Sequence, residues 1–138
     1  MSEFKITRDQ KILGIDYGAN KIGLALADLQ TKIATPYKIL IKEKDPIAKI
    51  KEICQQENIE KIIVGLPIGL RGVNSEQYKK VADFIIKLKQ EIKLEIIEQD
   101  EKMTSIYAQK LMRETKTRKP DDAVAAMLIL QSYLDEKL

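Results

Sequence analysis

The chain has 138 residues, 44% hydrophobic and 33% charged, with 24 lysines and arginines against 21 acids and a formal net charge of +3. It contains no histidine and a single cysteine, Cys54. That excludes a Ser-His-Asp triad, a Cys-His pair, an internal disulfide and a cysteine-rich zinc site. Catalysis, if any, falls to carboxylates, lysine or arginine, hydroxyls, backbone amides or a hard metal ion.

The length suits one domain, near the common size of roughly 100–150 residues. No repeat and no Pro/Gly/Ser-rich linker divides it, so residues 1–138 are expected to form a single domain. No apolar run approaches the roughly 20 residues of a membrane helix. Met1-Ser2-Glu3-Phe4-Lys5 lacks the apolar core of a signal peptide. A soluble, cytoplasmic protein without membrane contact is expected.

The first third reads as three strands. Lys11-Ile12-Leu13-Gly14-Ile15-Asp16 is an apolar run ending on an acid, followed by Gly18. Ile22 to Asp28 comes after a turn at Ala19-Asn20, and Tyr37 to Ile41 follows Pro36. Short connections predict an antiparallel meander. The remainder alternates helix and strand. Asp45-Pro46 is an N-cap with proline at the first helical position, and Ile47, Ile50, Ile53 and Cys54 recur at helical spacing up to Asn58. Lys61-Ile62-Ile63-Val64-Gly65 is a β-branched strand ended by Leu66-Pro67. Ser75 caps a helix with Tyr78, Val81, Ala82, Ile85 and Leu88 on its apolar face. Leu94 to Ile97 is a strand ending at Glu98-Gln99-Asp100-Glu101. A helix is expected from Thr104 to about Arg113, and a final one from Asp121 to about Leu134, apolar on nearly all sides from Ala123 to Leu130. The order βββ-α-β-α-β-α-α predicts an α/β fold with a mixed five-stranded sheet.

Acids stand at the ends of apolar elements. Asp16 closes the first strand, Asp100 and Glu101 close the last, and Asp121 and Asp122 open the final helix, whose dipole favours negative charge. A carboxylate after a buried strand costs free energy unless it is solvated, paired or bound to a cation. Parallel strands share a carboxyl edge, where α/β sheets build their sites, so the three clusters can meet there. Oxygen ligands suit magnesium or manganese, and two ions about 3.5–4 Å apart stabilise both oxygens of an in-line phosphoryl displacement. Each acid alone has a structural reading as well, Asp121 as an N-cap and Asp100 or Glu101 as a solvated strand end. Gly14 to Gly18 also permits close backbone approach to a phosphate. The loop Gly65-Leu66-Pro67-Ile68-Gly69-Leu70-Arg71-Gly72 leads to a helix N-terminus, where Arg71 can meet an anion. Lys110, Arg113, Lys116, Arg118 and Lys119 gather charge before the last helix, as a polyanion grip or as a solvated run.

Together these segments resemble the YqgF family, whose members have a ribonuclease H-like fold and are assigned as Holliday junction resolvases or as nucleases maturing the 5′ end of pre-16S rRNA. The matching stretches are Leu13-Gly14-Ile15-Asp16-Tyr17-Gly18 with Lys21-Ile22-Gly23-Leu24-Ala25, Val64-Gly65-Leu66-Pro67, Asp100-Glu101-Lys102-Met103-Thr104-Ser105, and Asp122-Ala123-Val124-Ala125-Ala126 with Leu130-Gln131-Ser132-Tyr133-Leu134. The resemblance implies a metal-binding catalytic triad of Asp16, Glu101 and Asp122, with Asp100 as an outer or substitute ligand and Mg2+ or Mn2+, two ions, as cofactor. Lys21 and Lys102 stand where the family usually has arginine, keeping the charge but not the bidentate fork, and Gly69 replaces a polar residue. Structured RNA is the expected partner, gripped by Lys21, Arg71, Lys102, Lys110, Arg113, Lys116, Arg118 and Lys119. Branched DNA competes as substrate, and a monomer or weak dimer is expected. The alternatives are a nucleotide-binding module of the actin or sugar-kinase type and a non-catalytic RNA-binding assembly factor.

Overall fold

The computed structural model describes residues 10–67, 75–100 and 121–137. Five strands form one mixed sheet: β1 (Lys11–Asp16), β2 (Lys21–Asp28), β3 (Ala34–Ile41), β4 (Ile59–Leu66) and β5 (Glu95–Asp100), in the order β3-β2-β1-β4-β5. The β1–β2 and β2–β3 pairs are antiparallel, and β1–β4 and β4–β5 are parallel. The meander and the parallel half both match the sequence expectation. The helix expected from Thr104 to Arg113 lies outside the described residues.

Among the described residues three helices cover the sheet: α1 (Pro46–Gln56), α2 (Glu76–Glu91) and α3 (Asp122–Lys137). Asp45 caps α1, its side chain accepting the Ala48 amide at 3.1 Å, and Ser75 caps α2, accepting the Tyr78 amide at 3.1 Å. One face packs under α1 and α2, where Leu13, Ile15, Leu24, Ile62 and Val64 meet Ile50, Ile53, Phe84, Ile85 and Leu88. The other face carries Ile12, Ala25, Ala27, Ala34 and Ile63 under Ala126, Ile129, Leu130 and Tyr133 of α3.

Side-chain alternation in β2 explains why α3 sits so close. Leu24 points into the α1/α2 core, while Gly23, Ala25 and Ala27 leave a shallow floor on the other face. Gly14 lies under Leu130, where a Cβ would stand 2.9 Å from the Leu130 Cβ. The last helix, apolar on nearly all sides, is buried on more than one side: Leu128 and Ser132 are buried away from the sheet-facing Ala126, Ile129, Leu130 and Tyr133, with Val124, Ala125 and Met127 half-buried.

The third strand begins earlier than expected, at Ala34 rather than after Pro36. Pro36 is tolerated because β3 is an edge strand and its register shifts between Leu24 and Ala25 of β2. A proline lacks the ladder amide and is accommodated at edges and bulges.

Candidate active site

The site is built at the carboxyl end of β1. Asp16 is half-buried and pairs with Gly23 across the antiparallel ladder. Directly opposed residues share a sheet face, and the face on which Gly23 lies is the one covered by α3. A Cβ added to Gly23 would stand 1.8 Å from the Asp122 carbonyl oxygen and 2.9 Å from the Ala123 amide nitrogen. The backbone of Asp122 therefore rests on the residue opposite Asp16. The end of β1 and the first turn of α3 thus lie on the same face of the sheet.

The neighbouring acids divide the work. Asp121 accepts the Val124 amide at 2.8 Å through its side chain, and its carbonyl accepts the Ala125 amide at 2.9 Å. It is the N-cap of α3, the structural reading given to it from sequence. Asp122 is the first helical residue, at the positive end of the dipole.

Asp100 ends β5 in register with Leu66, which belongs to the α1/α2 core. Its register position is thus on the opposite face from Asp16, with β4 between them. Gln99, one residue earlier, lies on the α3 face, is buried, and donates from Nε2 to the Glu136 carboxylate. Sequence reading missed Gln99; its signal was a polar residue inside a strand, without a way to count which face it took. Among the described residues no group of three or more histidine, cysteine, aspartate or glutamate side chains is gathered for a metal ion. Glu101, Arg71, Lys102, Lys110, Arg113, Lys116, Arg118 and Lys119 lie outside the described residues.

Lys21 opens β2, exposed, in register with Ile41. Gly18 has a structural role in the intervening turn, since a Cβ there would meet the Lys21 carbonyl oxygen at 2.6 Å. The donor chemistry of the site is oxygen only. The chain has no histidine, and Cys54 lies in the core of the α1/α2 face, where burial pushes its thiol up to about 11. Carboxylates without nitrogen or sulfur ligands fit a hard divalent cation.

The model of the family described as "RuvX: Holliday junction resolvase" matches residues 10–136. A Fusobacterium nucleatum protein named "Putative pre-16S rRNA nuclease" is 37% identical over 136 residues, covering 93% of this chain and 99% of that protein. A Clostridium tetani protein of the same name is 38% identical over 132 residues, covering 91% and 96%. Among solved structures, T. thermophilus RuvC in complex with a Holliday junction substrate superposes with a TM-score of 0.60 at 12% identity, covering 93% of this chain and 95% of that one. The fowlpox virus resolvase with Holliday junction DNA reaches 0.54 at 16% identity, covering 93% and 99%. The shared feature is the fold, which is ribonuclease H-like with a mixed five-stranded sheet.

Proposed function

The chain belongs to the family described as RuvX, Holliday junction resolvase, and from that membership we propose a metal-dependent nuclease that processes the 5′ end of pre-16S rRNA. That it hydrolyses phosphodiester bonds in structured nucleic acid follows from the family and from relatives named as nucleases along nearly their whole length. In this reading residues 1–138 act as a single cytoplasmic nuclease domain, as a monomer or weak dimer.

The observation that carries the catalytic assignment is the Asp16–Gly23–Asp122 stack, which joins two carboxylate-bearing residues at one sheet edge. Asp16, Asp122 and Glu101 would hold Mg2+ or Mn2+, two ions, with Asp100 approaching from the other face. A divalent cation bound there supplies Lewis-acid stabilisation to the charge that develops on a phosphodiester. The protein's own part is positional. The β1–β2 ladder fixes Asp16, the Asp121 cap fixes the first turn of α3, and close packing on Gly23 holds the two elements in register. Lys21, at the mouth of the same turn, meets a phosphate oxygen. Arg71, Lys102, Lys110, Arg113, Lys116, Arg118 and Lys119 would extend that grip along the backbone, which positions the substrate without reading its sequence.

Relatives above 30% identity are named for rRNA, whereas the DNA resolvases share the fold at far lower identity, which favours RNA. The family description keeps branched DNA as the second reading. Supplying the purified protein with a 5′-extended 16S precursor fragment and with a four-way DNA junction, in Mg2+, tests the choice. Cleavage of the RNA alone supports the proposal, and cleavage of the junction alone overturns it.

A further inference from the structure

A cavity of about 390 Å³ opens at the same strand end, on the α1/α2 face, and the carboxylate site does not use it. Its size lies within the roughly 300–1,000 Å³ of small-ligand sites. Tyr17, the residue after Asp16, forms one wall and packs against the α1/α2 core. The Tyr17 ring stacks on Phe84 with centroids 4.3 Å apart and an interplanar angle of 24°, so the wall is aromatic and held in place. Exposed Lys80 and Lys87 of α2 flank it, about 10 Å apart along the helix axis.

The lining carries two acids, Asp45 and Asp83, beside its two lysines. Asp45 is committed to the α1 cap through the Ala48 amide. Asp83 remains as an acceptor suited to the amino or imino edge of a base. A second hollow shares Asp45 and carries Lys42, Lys44 and Lys49 beside Glu43 and Glu52, with Lys49 facing Glu52 at 3.9 Å. Lysines interleaved with acids therefore continue from α2 past the start of α1 to the end of β3.

We propose that this cavity takes one unpaired nucleotide of the substrate strand next to the cleaved bond, its base against Tyr17 and its phosphates between Lys80 and Lys87. The inference rests on the nucleic-acid reading above and adds a single-strand subsite to it. A recessed aromatic wall is reached only by a base that has left its stack, and aromatic rings with lysines on the backbone are how single strands are held without sequence preference. The strand passes over the sheet edge, from the acids on one face to Tyr17 on the other.

The test measures binding of a short fluorescein-labelled oligouridylate by anisotropy, in EDTA so that no metal contributes, across a salt series. The variants are Lys80→Gln/Lys87→Gln, Tyr17→Leu, and a charge-matched control, Lys51→Gln/Lys93→Gln. The control lysines line a different cavity, at the opposite end of the same sheet face. The Lys80/Lys87 pair is expected to weaken binding about tenfold and to lower the salt slope by about one to two, with Tyr17→Leu costing at least about fivefold. The control changes neither. Equal losses in both lysine pairs, unchanged binding in the Lys80/Lys87 variant, or no binding by the wild type each overturn the subsite. Failure of the nuclease reading looks different: the wild type then binds and the Lys80/Lys87 variant binds about tenfold more weakly, but neither RNA nor junction is cleaved in Mg2+.

Discussion

Asp16 faces Gly23 across the β1–β2 ladder, and the carbonyl of Asp122 occupies the space where a Gly23 side chain would begin. The contact couples the start of α3 to the end of β1. Gly23→Ala therefore forces backbone apart, since a carbonyl 1.8 Å from a Cβ cannot remain. Overpacking of this kind costs about 1–3 kcal/mol. The accompanying displacement of Asp122 lowers cleavage about a hundredfold. Thermal melting and single-turnover cleavage measure the two effects separately, and the activity loss is expected to exceed what the fraction unfolded explains.

The adjacent acids at the start of α3 should respond in opposite ways. Asp121→Ala removes the cap on Val124 and costs about 0.5–2 kcal/mol of stability while leaving most activity. Asp122→Asn leaves the melting temperature nearly unchanged and abolishes cleavage. Urea denaturation beside the cleavage assay separates them, and equal activity losses would argue that both acids serve the site.

Leu130 is fully buried against Gly14. Leu130→Ala opens a cavity in the α3 face and is expected to cost about 2–5 kcal/mol. Urea unfolding with an unchanged m-value, together with a lowered midpoint, is the expected result.

Alkaline pH should destabilise the fold. Burial raises the Cys54 thiol from 9.0 to about 11, and burial with the hydrogen bond to Glu57 raises the Tyr37 hydroxyl. In each case the unfolded chain releases its proton first, so stability is flat below pH 9 and falls as pH climbs toward 11. A melting series from pH 7 to about 11 reads the decline. At pH 8 Cys54 should react with a thiol reagent only after denaturant is added.

Much of this arrangement is legible in the chain. Lys11–Asp16 is a strand to its last residue, and Asp45-Pro46 and Ser75 announce their helices because capping is local chemistry. Pro36 misled, because a proline marks a strand break unless the strand is known to lie at the edge. The faces of Gln99 and Asp100 were hidden for a related reason: alternation gives opposite sides but not which helix covers each. The role of Gly23 was not readable either, since its constraint comes from a helix at the far end of the chain.

The central claim is that Asp16 and the acid of α3 belong to one catalytic centre. The direct measurement is Mg2+-dependent cleavage of a 5′-extended 16S precursor fragment by wild type and Asp16→Asn, with folding and RNA binding monitored in the same preparations. Loss of cleavage with melting and binding preserved is the predicted result, whereas equal cleavage by the two proteins would contradict it.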